Sequence, residues 1–125
     1  MDFVMPSLVS EEDVSPATRL MKALGDGTRL RIVALLSHGE LCVCHLVEAL
    51  AVSQPNASRQ LALLKSAGVV ASRRAGTWVH YRLAPQTDAT CRRMLSTLVR
   101  GFMARGPLRH DVERLVKKRG PDACR

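Results

Sequence analysis

Apolar residues recur at helical spacing in several segments of the chain. From Pro16 they line one face of a predicted helix that Gly25 ends. The next segment can be capped by Asp26 or Thr28 and stops at residues 38–39. Because this second segment is apolar on most sides, the pattern predicts a central, buried helix.

Two short helices follow, joined by a tight turn. After an extended piece at residues 40–42, a third helix is predicted from about residue 43 to residue 50. Two residues separate it from a fourth helix, which Ser53 can cap and whose first turn accommodates Pro55. Gly68 is suited to end that helix at a positive φ. This arrangement predicts a helix-turn-helix.

A hairpin and a strongly amphipathic helix complete the pattern. Residues 69–74 and 77–83 are predicted as strands, with Ala75 and Gly76 supplying the turn. A fifth helix, from about residue 88 to residue 103, carries a wide apolar stripe. The stripe consists of Cys91, Met94, Leu95, Leu98, Val99 and Phe102. A terminal helix of a small domain cannot bury so much surface alone, so we expect homodimerisation through this helix and the N-terminal helix.

The predicted fold is therefore mainly α with a small β-hairpin, a homodimeric winged helix-turn-helix. Residues 1–15 are predicted as a flexible acidic N-terminal arm, and residues 16–103 as the DNA-binding and dimerisation domain. Residues 104–125 are predicted as a C-terminal helical extension and tail, with a last helix at 108–118.

Charge and composition narrow the choice of partner and compartment. Nineteen Lys and Arg oppose eleven Asp and Glu in 125 residues, a net charge of +8. A basic body favours a polyanionic partner, because neutralising phosphates releases condensed counterions. The start of the chain does not resemble a secretory signal, so we expect a cytoplasmic protein with reduced thiols. Its four cysteines are then expected as ligands, sensors or packing residues.

The fourth helix and the hairpin carry residues suited to DNA. The polar side of the helix offers hydrogen-bond donors and no acid: Ser53, Gln54, Asn56, Ser58, Arg59 and Gln60. Asn and Gln can bond an adenine edge twice, and Arg does the same for guanine. Arg73 and Arg74 near the hairpin tip suit the DNA backbone or minor groove. Each feature alone fits an ordinary solvated surface, but together they predict double-stranded DNA binding.

Cys42 and Cys44 form the second informative feature. In an extended segment, residues i and i+2 point to the same side, and this pair lies at the predicted strand-to-helix junction. A helix N-terminus lowers a thiol pKa, and thiolates select soft ions. The pair fits a small thiophilic centre better than a closed tetrahedral zinc site, although two packed cysteines would also explain it.

The string at residues 40–46, ELCVCHL, closely resembles the ELCVCDL motif of the arsenic-responsive branch of the ArsR/SmtB repressors. Supporting similarity occurs at residues 24–32, 53–61 and 76–83. The resemblance implies a homodimer that represses a metalloid-resistance operon and leaves its operator when arsenite As(III) or antimonite Sb(III) binds. It also implies that Cys42 and Cys44 are the inducer thiolates, and that Gln54, Ser58 and Arg59 lie on the recognition helix.

Three positions depart from the motifs of that branch. His45 stands where the family usually has Asp, Val47 where some members have a third cysteine, and Gln60 where a His is common. A third inducer ligand therefore stays open between His45, Cys91, Cys124 and none, as does the choice between inorganic and methylated arsenicals. The zinc site that other branches carry on the last core helix is rejected, because Asp88 has no His partner there.

Two alternative hypotheses have the same fold but a different signal that releases the protein from DNA. In one, Cys42 and Cys44 respond to oxidation; in the other, Cys42, Cys44 and His45 bind zinc or cadmium. Catalysis is not expected, because acids and histidines are scattered and no glycine-rich phosphate loop occurs.

Overall fold

The computed structural model describes residues 8–104 and Arg114. That part of the chain contains five helices and three short strands. The predicted helix at 108–118 and the predicted role of Cys124 lie outside the described residues, apart from Arg114, which is helical. No helix in the described part is long and apolar enough to cross a lipid bilayer.

Helix α1 (Glu11–Leu24) begins five residues before the predicted start at Pro16. The Ser10 hydroxyl accepts a hydrogen bond from the Asp13 backbone N–H, and the Asp13 carboxylate accepts one from the Ser10 N–H. These bonds lower the pKa of Asp13. The negative charge of Asp13 also stabilises the helix, because the N-terminus of a helix carries a partial positive charge. Residues 11–15, which were assigned to the N-terminal arm, are therefore helical, because this capping box lies upstream of the proline.

Helix α2 (Gly27–Leu36) is the buried centre of the fold, as its apolar pattern predicted. Asp26 caps it by accepting the Arg29 backbone N–H, and Ile32 and Val33 are fully buried. It packs against α1, α3, α4 and α5. The core thus forms around α2, and α1, α3, α4 and α5 are all held in place by contact with it.

Helices α3 (Val43–Leu50) and α4 (Gln54–Ser66) form the predicted helix-turn-helix. Ala51 takes a left-handed conformation with φ 55° and turns the chain between them. The Ser53 hydroxyl accepts the Asn56 N–H, which caps α4 as its sequence indicated. Gly68, with φ 77°, follows the end of α4 in the positive-φ conformation that glycine adopts easily.

The wing is a three-stranded sheet, one strand larger than the predicted hairpin. Strands β2 (Val70–Ala75) and β3 (Trp78–Leu83) pair with Ala75 opposite Trp78, so the turn is one residue later than predicted. Strand β1 (Leu41–Cys42) joins the other side of β3 and gives the order β1-β3-β2. Cys42 lies opposite His80, which connects the cysteine segment directly to the wing.

Helix α5 (Ala89–Met103) packs against α1 and α2, and four residues of its apolar stripe are only partly buried: Met94, Leu98, Val99 and Phe102. Cys91 and Leu95 are its buried residues. An open apolar groove of about 630 Å³ lies among α1, α2 and α5. Its lining is Met21, Leu24, Leu30, Thr90, Arg93, Met94, Thr97 and Leu98.

Candidate thiolate site and nucleic-acid interface

Three soft or borderline donors meet at the start of α3. The ligand atoms of Cys42, Cys44 and His45 all lie within 4.8 Å of one another. Cys42 ends β1 and occupies the N-cap of α3, with 1% of its surface exposed, while Cys44 and His45 are half-buried. Cys42 Sγ lies 3.4 Å from His45 Nδ1. The strand-to-helix junction therefore brings the two cysteines close to each other and to the histidine that follows them.

The sulfurs of Cys42 and Cys44 lie close enough in this structure to be joined as a disulfide. Their reduction would release two thiolates at a helix N-terminus, where negative charge is favoured. Two sulfurs with one imidazole nitrogen nearby form a donor set for soft or borderline ions.

The other cysteine within the described residues lies elsewhere. Cys91 is a free thiol buried in the core, and burial followed by its contact with Asp88 raises its pKa. The Asp88 carboxylate caps α5 by accepting the Cys91 backbone N–H, which lowers the pKa of Asp88. Within residues 8–104, the three-residue donor group is the one at α3 and includes neither of these residues.

The predicted DNA-contacting residues of α4 fall into two sets. Gln54, Ser58 and Arg59 are exposed, so their side chains are available to a ligand. Asn56 and Gln60 are half-buried, and the Gln60 Nε2 donates to Asn56 Oδ1 at 3.2 Å. Helix α4 thus has three exposed polar side chains, together with two half-buried amides that are joined by a hydrogen bond.

Arg29 holds that amide pair and was not identified from the sequence. Its Nη1 donates to Gln60 Oε1 at 2.8 Å, and its Nε donates to the Ala23 carbonyl at 2.6 Å. Nη2 lies 3.4 Å from the Lys22 carbonyl. One guanidinium therefore joins the C-terminal end of α1 to α4. Nothing local indicates this, since Gln60 is 31 residues away along the chain.

Of the two predicted wing arginines, Arg74 is exposed and Arg73 is paired. The Arg73 Nε donates to both carboxylate oxygens of Glu40, at 2.8 and 3.0 Å. This pairing lowers the pKa of Glu40 and raises that of Arg73. Since Glu40 lies two residues before Cys42, the pair links the wing to the segment that carries the thiolate site.

Known proteins share both the sequence and the fold. The family described as "Bacterial regulatory protein, arsR family" matches residues 26–72. An arsenical resistance operon repressor of Escherichia coli K12 is 57% identical over 72 residues, which are 57% of this chain. The matched segment spans 62% of that relative, so it covers less than two thirds of its length.

Solved structures extend the similarity over most of the chain. A homodimeric winged helix-turn-helix DNA-binding domain, Mb0332 of Mycobacterium bovis, described as a possible ArsR-family regulator, is 32% identical, with a TM-score of 0.61. The match covers 75% of this chain and 86% of that one. The antimony-specific transcriptional repressor AntR is 29% identical, with a TM-score of 0.59 and coverage of 80% and 91%. The chain is a member of the ArsR family, a family of winged helix-turn-helix transcriptional regulators and not of enzymes.

Proposed function

We propose that this protein is a homodimeric repressor of a metalloid-resistance operon, which leaves its operator when As(III) or Sb(III) binds Cys42 and Cys44. The observation that carries the proposal is the group of three donors at the N-terminus of α3, the helix that packs on α4. The E. coli relative named for arsenical resistance and the antimony-specific AntR support the choice of ligand.

The chemistry of inducer binding needs only the reduced cysteine pair. Arsenous acid, As(OH)₃, condenses with two thiols to give two As–S bonds and two water molecules, leaving one hydroxide on arsenic. His45 Nδ1, at 3.4 Å from Cys42 Sγ, is placed to bind arsenic as a third ligand in place of that hydroxide, which would take up a proton and leave as water. A methylated trivalent arsenical, which needs two sulfurs, also fits the pair.

Inducer binding would reach the DNA-contacting surface by two routes. Cys42 occupies the N-cap position of α3, so holding its sulfur and that of Cys44 on one arsenic or antimony atom would change the geometry of the first turn of α3, the helix that packs on α4. Strand β1 also pairs with β3, and Glu40 holds Arg73 of the wing. For release, the inducer must bind the DNA-free conformation more tightly than the DNA-bound one.

DNA contact is assigned to the exposed end of α4 and to the wing. Gln54, Ser58 and Arg59 are suited to base edges, and Arg74 to a phosphate. Ser53 and Asn56 lie in the same first turn of α4 and are part of this exposed end. Arg73 would bind DNA only in exchange for Glu40, so its contribution is smaller than that of Arg74.

The groove among α1, α2 and α5 is assigned to a second copy of the chain. It is predominantly apolar and includes Met21, of which 62% is exposed. An exposed apolar groove of this kind is typical of a subunit interface. The homodimeric Mb0332 domain supports this assignment.

Changing Met21 to Lys is expected to weaken the dimer at least tenfold without unfolding the monomer. The new ammonium would lie in an apolar groove that already contains Arg93. Sedimentation equilibrium measures the dissociation constant. Leu63→Lys is the matched control, because Leu63 is an exposed leucine on α4, outside this groove. Equal dissociation constants for the Met21 variant and the wild type would contradict the assigned interface.

One parallel titration tests the proposed inducer. The reduced protein is bound to a duplex selected from random DNA, and arsenite, antimonite, zinc, cadmium and peroxide are added separately. Arsenite and antimonite are expected to release the DNA at the lowest concentrations. Release by zinc or cadmium alone would support the three-donor metal sensor instead and would contradict the proposal.

The closeness of the two sulfurs favours one second candidate, a redox-responsive repressor. Hydrogen peroxide would oxidise the Cys42 and Cys44 thiols to a disulfide and be reduced to two water molecules. This candidate predicts release by peroxide, reversed by dithiothreitol, and no release by arsenite under reducing conditions. The same titration therefore separates the two triggers.

A further inference from the structure

We infer that Arg29 sets the polarity of the two amides on α4, so that Asn56 offers only its NH₂ group to DNA and selects guanine over adenine. The inference rests on the proposed DNA binding by α4 and adds a specificity determinant to it. It is carried by a chain of three side chains, Arg29, Gln60 and Asn56, in which each hydrogen bond fixes the direction of the next.

The first link has only one possible direction. A guanidinium has five N–H donors and no acceptor, so the group of Gln60 that faces Arg29 must be its carbonyl oxygen. The Arg29 Nη1 to Gln60 Oε1 distance is 2.8 Å. Arg29 is itself held by the Ala23 and Lys22 carbonyls at the end of α1. The donor that orients Gln60 is therefore fixed by the fold.

The second link follows from the first. With Oε1 directed at Arg29, the other end of the Gln60 amide is its NH₂ group, which needs an acceptor. The Asn56 Oδ1 provides it at 3.2 Å. Reversing the Asn56 amide would place two NH₂ groups against each other. The carbonyl of Asn56 is thus directed into the protein by Arg29, through Gln60.

The NH₂ group of Asn56 remains for a ligand. It has no hydrogen-bond partner among the described residues, although Asn56 Oδ1 and the backbone N–H both have one. In the same part of the chain, no unpartnered polar side-chain atom is buried. Since Asn56 is half-buried, its NH₂ group must therefore reach solvent, in the first turn of α4.

A donor-only amide reads bases differently from a free one. A free Asn bonds adenine twice, by accepting from N6 and donating to N7. With its carbonyl directed at Gln60, Asn56 presents its NH₂ group to DNA, and guanine offers two adjacent acceptors, N7 and O6. The general preference of Asn for adenine is thereby reversed at this position.

The variant Gln60→Glu tests the polarity directly. A carboxylate can accept from Arg29 and from Asn56 together, but it cannot donate, so the Asn56 amide must reverse and present its oxygen to DNA. Binding sites are selected from a random pool of duplexes with the wild-type protein. The base pair whose preference disappears in Asn56→Ala is then the one that Asn56 contacts.

At that base pair, the wild type is expected to prefer guanine to adenine by roughly fivefold or more, and Gln60→Glu to prefer adenine. The affinities for guanine and adenine are compared within one protein. The general loss of affinity that an added negative charge causes then affects both and cancels in their ratio. Gln60→Met, which has no polar group to orient Asn56, should bring the ratio of the affinities for guanine and adenine close to one. Thermal unfolding and binding to unrelated DNA show whether each variant is folded.

The outcomes separate this inference from the proposed function. A wild-type preference for adenine, an unchanged ratio in folded Gln60→Glu and Gln60→Met, or no base pair affected by Asn56→Ala would each overturn the inference. A wild-type protein that enriches no sequence from the pool would instead overturn the proposed operator binding.

Discussion

Replacing Cys42 and Cys44 by serine is expected to leave operator binding intact and to abolish its release by arsenite. A hydroxyl stays protonated at neutral pH and is a hard donor, so it cannot form the two As–S bonds. Serine is also close in size to cysteine, which limits disturbance of the buried position 42. We expect the arsenite concentration for half-release to rise at least a hundredfold, measured by fluorescence anisotropy of a labelled duplex.

The control for this experiment is Cys91→Ala. Cys91 is a core residue outside the donor group, so its removal should leave the response to arsenite within about twofold of wild type, even where truncation costs some stability. Each single cysteine variant should be as unresponsive as the double variant, because one sulfur cannot hold the inducer. A double variant that still releases DNA at wild-type arsenite concentrations would disprove this inducer site.

Replacing Arg59 by alanine is expected to weaken specific binding far more than non-specific binding. Arg59 is exposed on the polar side of α4, and loss of one bidentate base contact costs about 1–3 kcal/mol, a factor of roughly 5 to 150. The measurement compares the selected duplex with unrelated DNA at several salt concentrations. The ratio of the two affinities should fall by that factor.

Arg74→Ala is the matched comparison on the wing. Loss of a phosphate contact should weaken both affinities to a similar extent and reduce the magnitude of the salt slope by about one. Arg73→Ala should have a smaller effect, since Arg73 is already bound to Glu40. Equal losses of specific and non-specific affinity in Arg59→Ala would show that Arg59 contacts the backbone and not a base.

The elements of the fold could be predicted where their signals lie within a few residues. Ser53 and its bond to Asn56, and Gly68 at positive φ, are local features that the sequence displays. The start of α1 was predicted too late, although Ser10 and Asp13 form an equally local capping box. The prediction gave more weight to Pro16, yet a helix tolerates the missing N–H there because upstream caps and later packing stabilise it.

The candidate site could be predicted only in part. Cys42, Cys44 and His45 are adjacent in the chain, so their meeting at a strand-to-helix junction follows from local geometry. Their connection to the wing does not follow from local geometry. It depends on the pairing of β1 with β3 and on the Glu40–Arg73 bond, which joins residues 33 positions apart.

By itself, the sequence determined the presence and order of the five helices, the turn between α3 and α4, the apolar stripe of α5 and the cysteine pair. These depend on periodicity, caps and spacing, which act over a few residues. The tertiary structure alone decided that Arg73 is paired with Glu40 and that Arg29 orients Gln60. Both contacts close long loops between side chains with many possible partners, and only the packing around α2 selects which charges and amides meet.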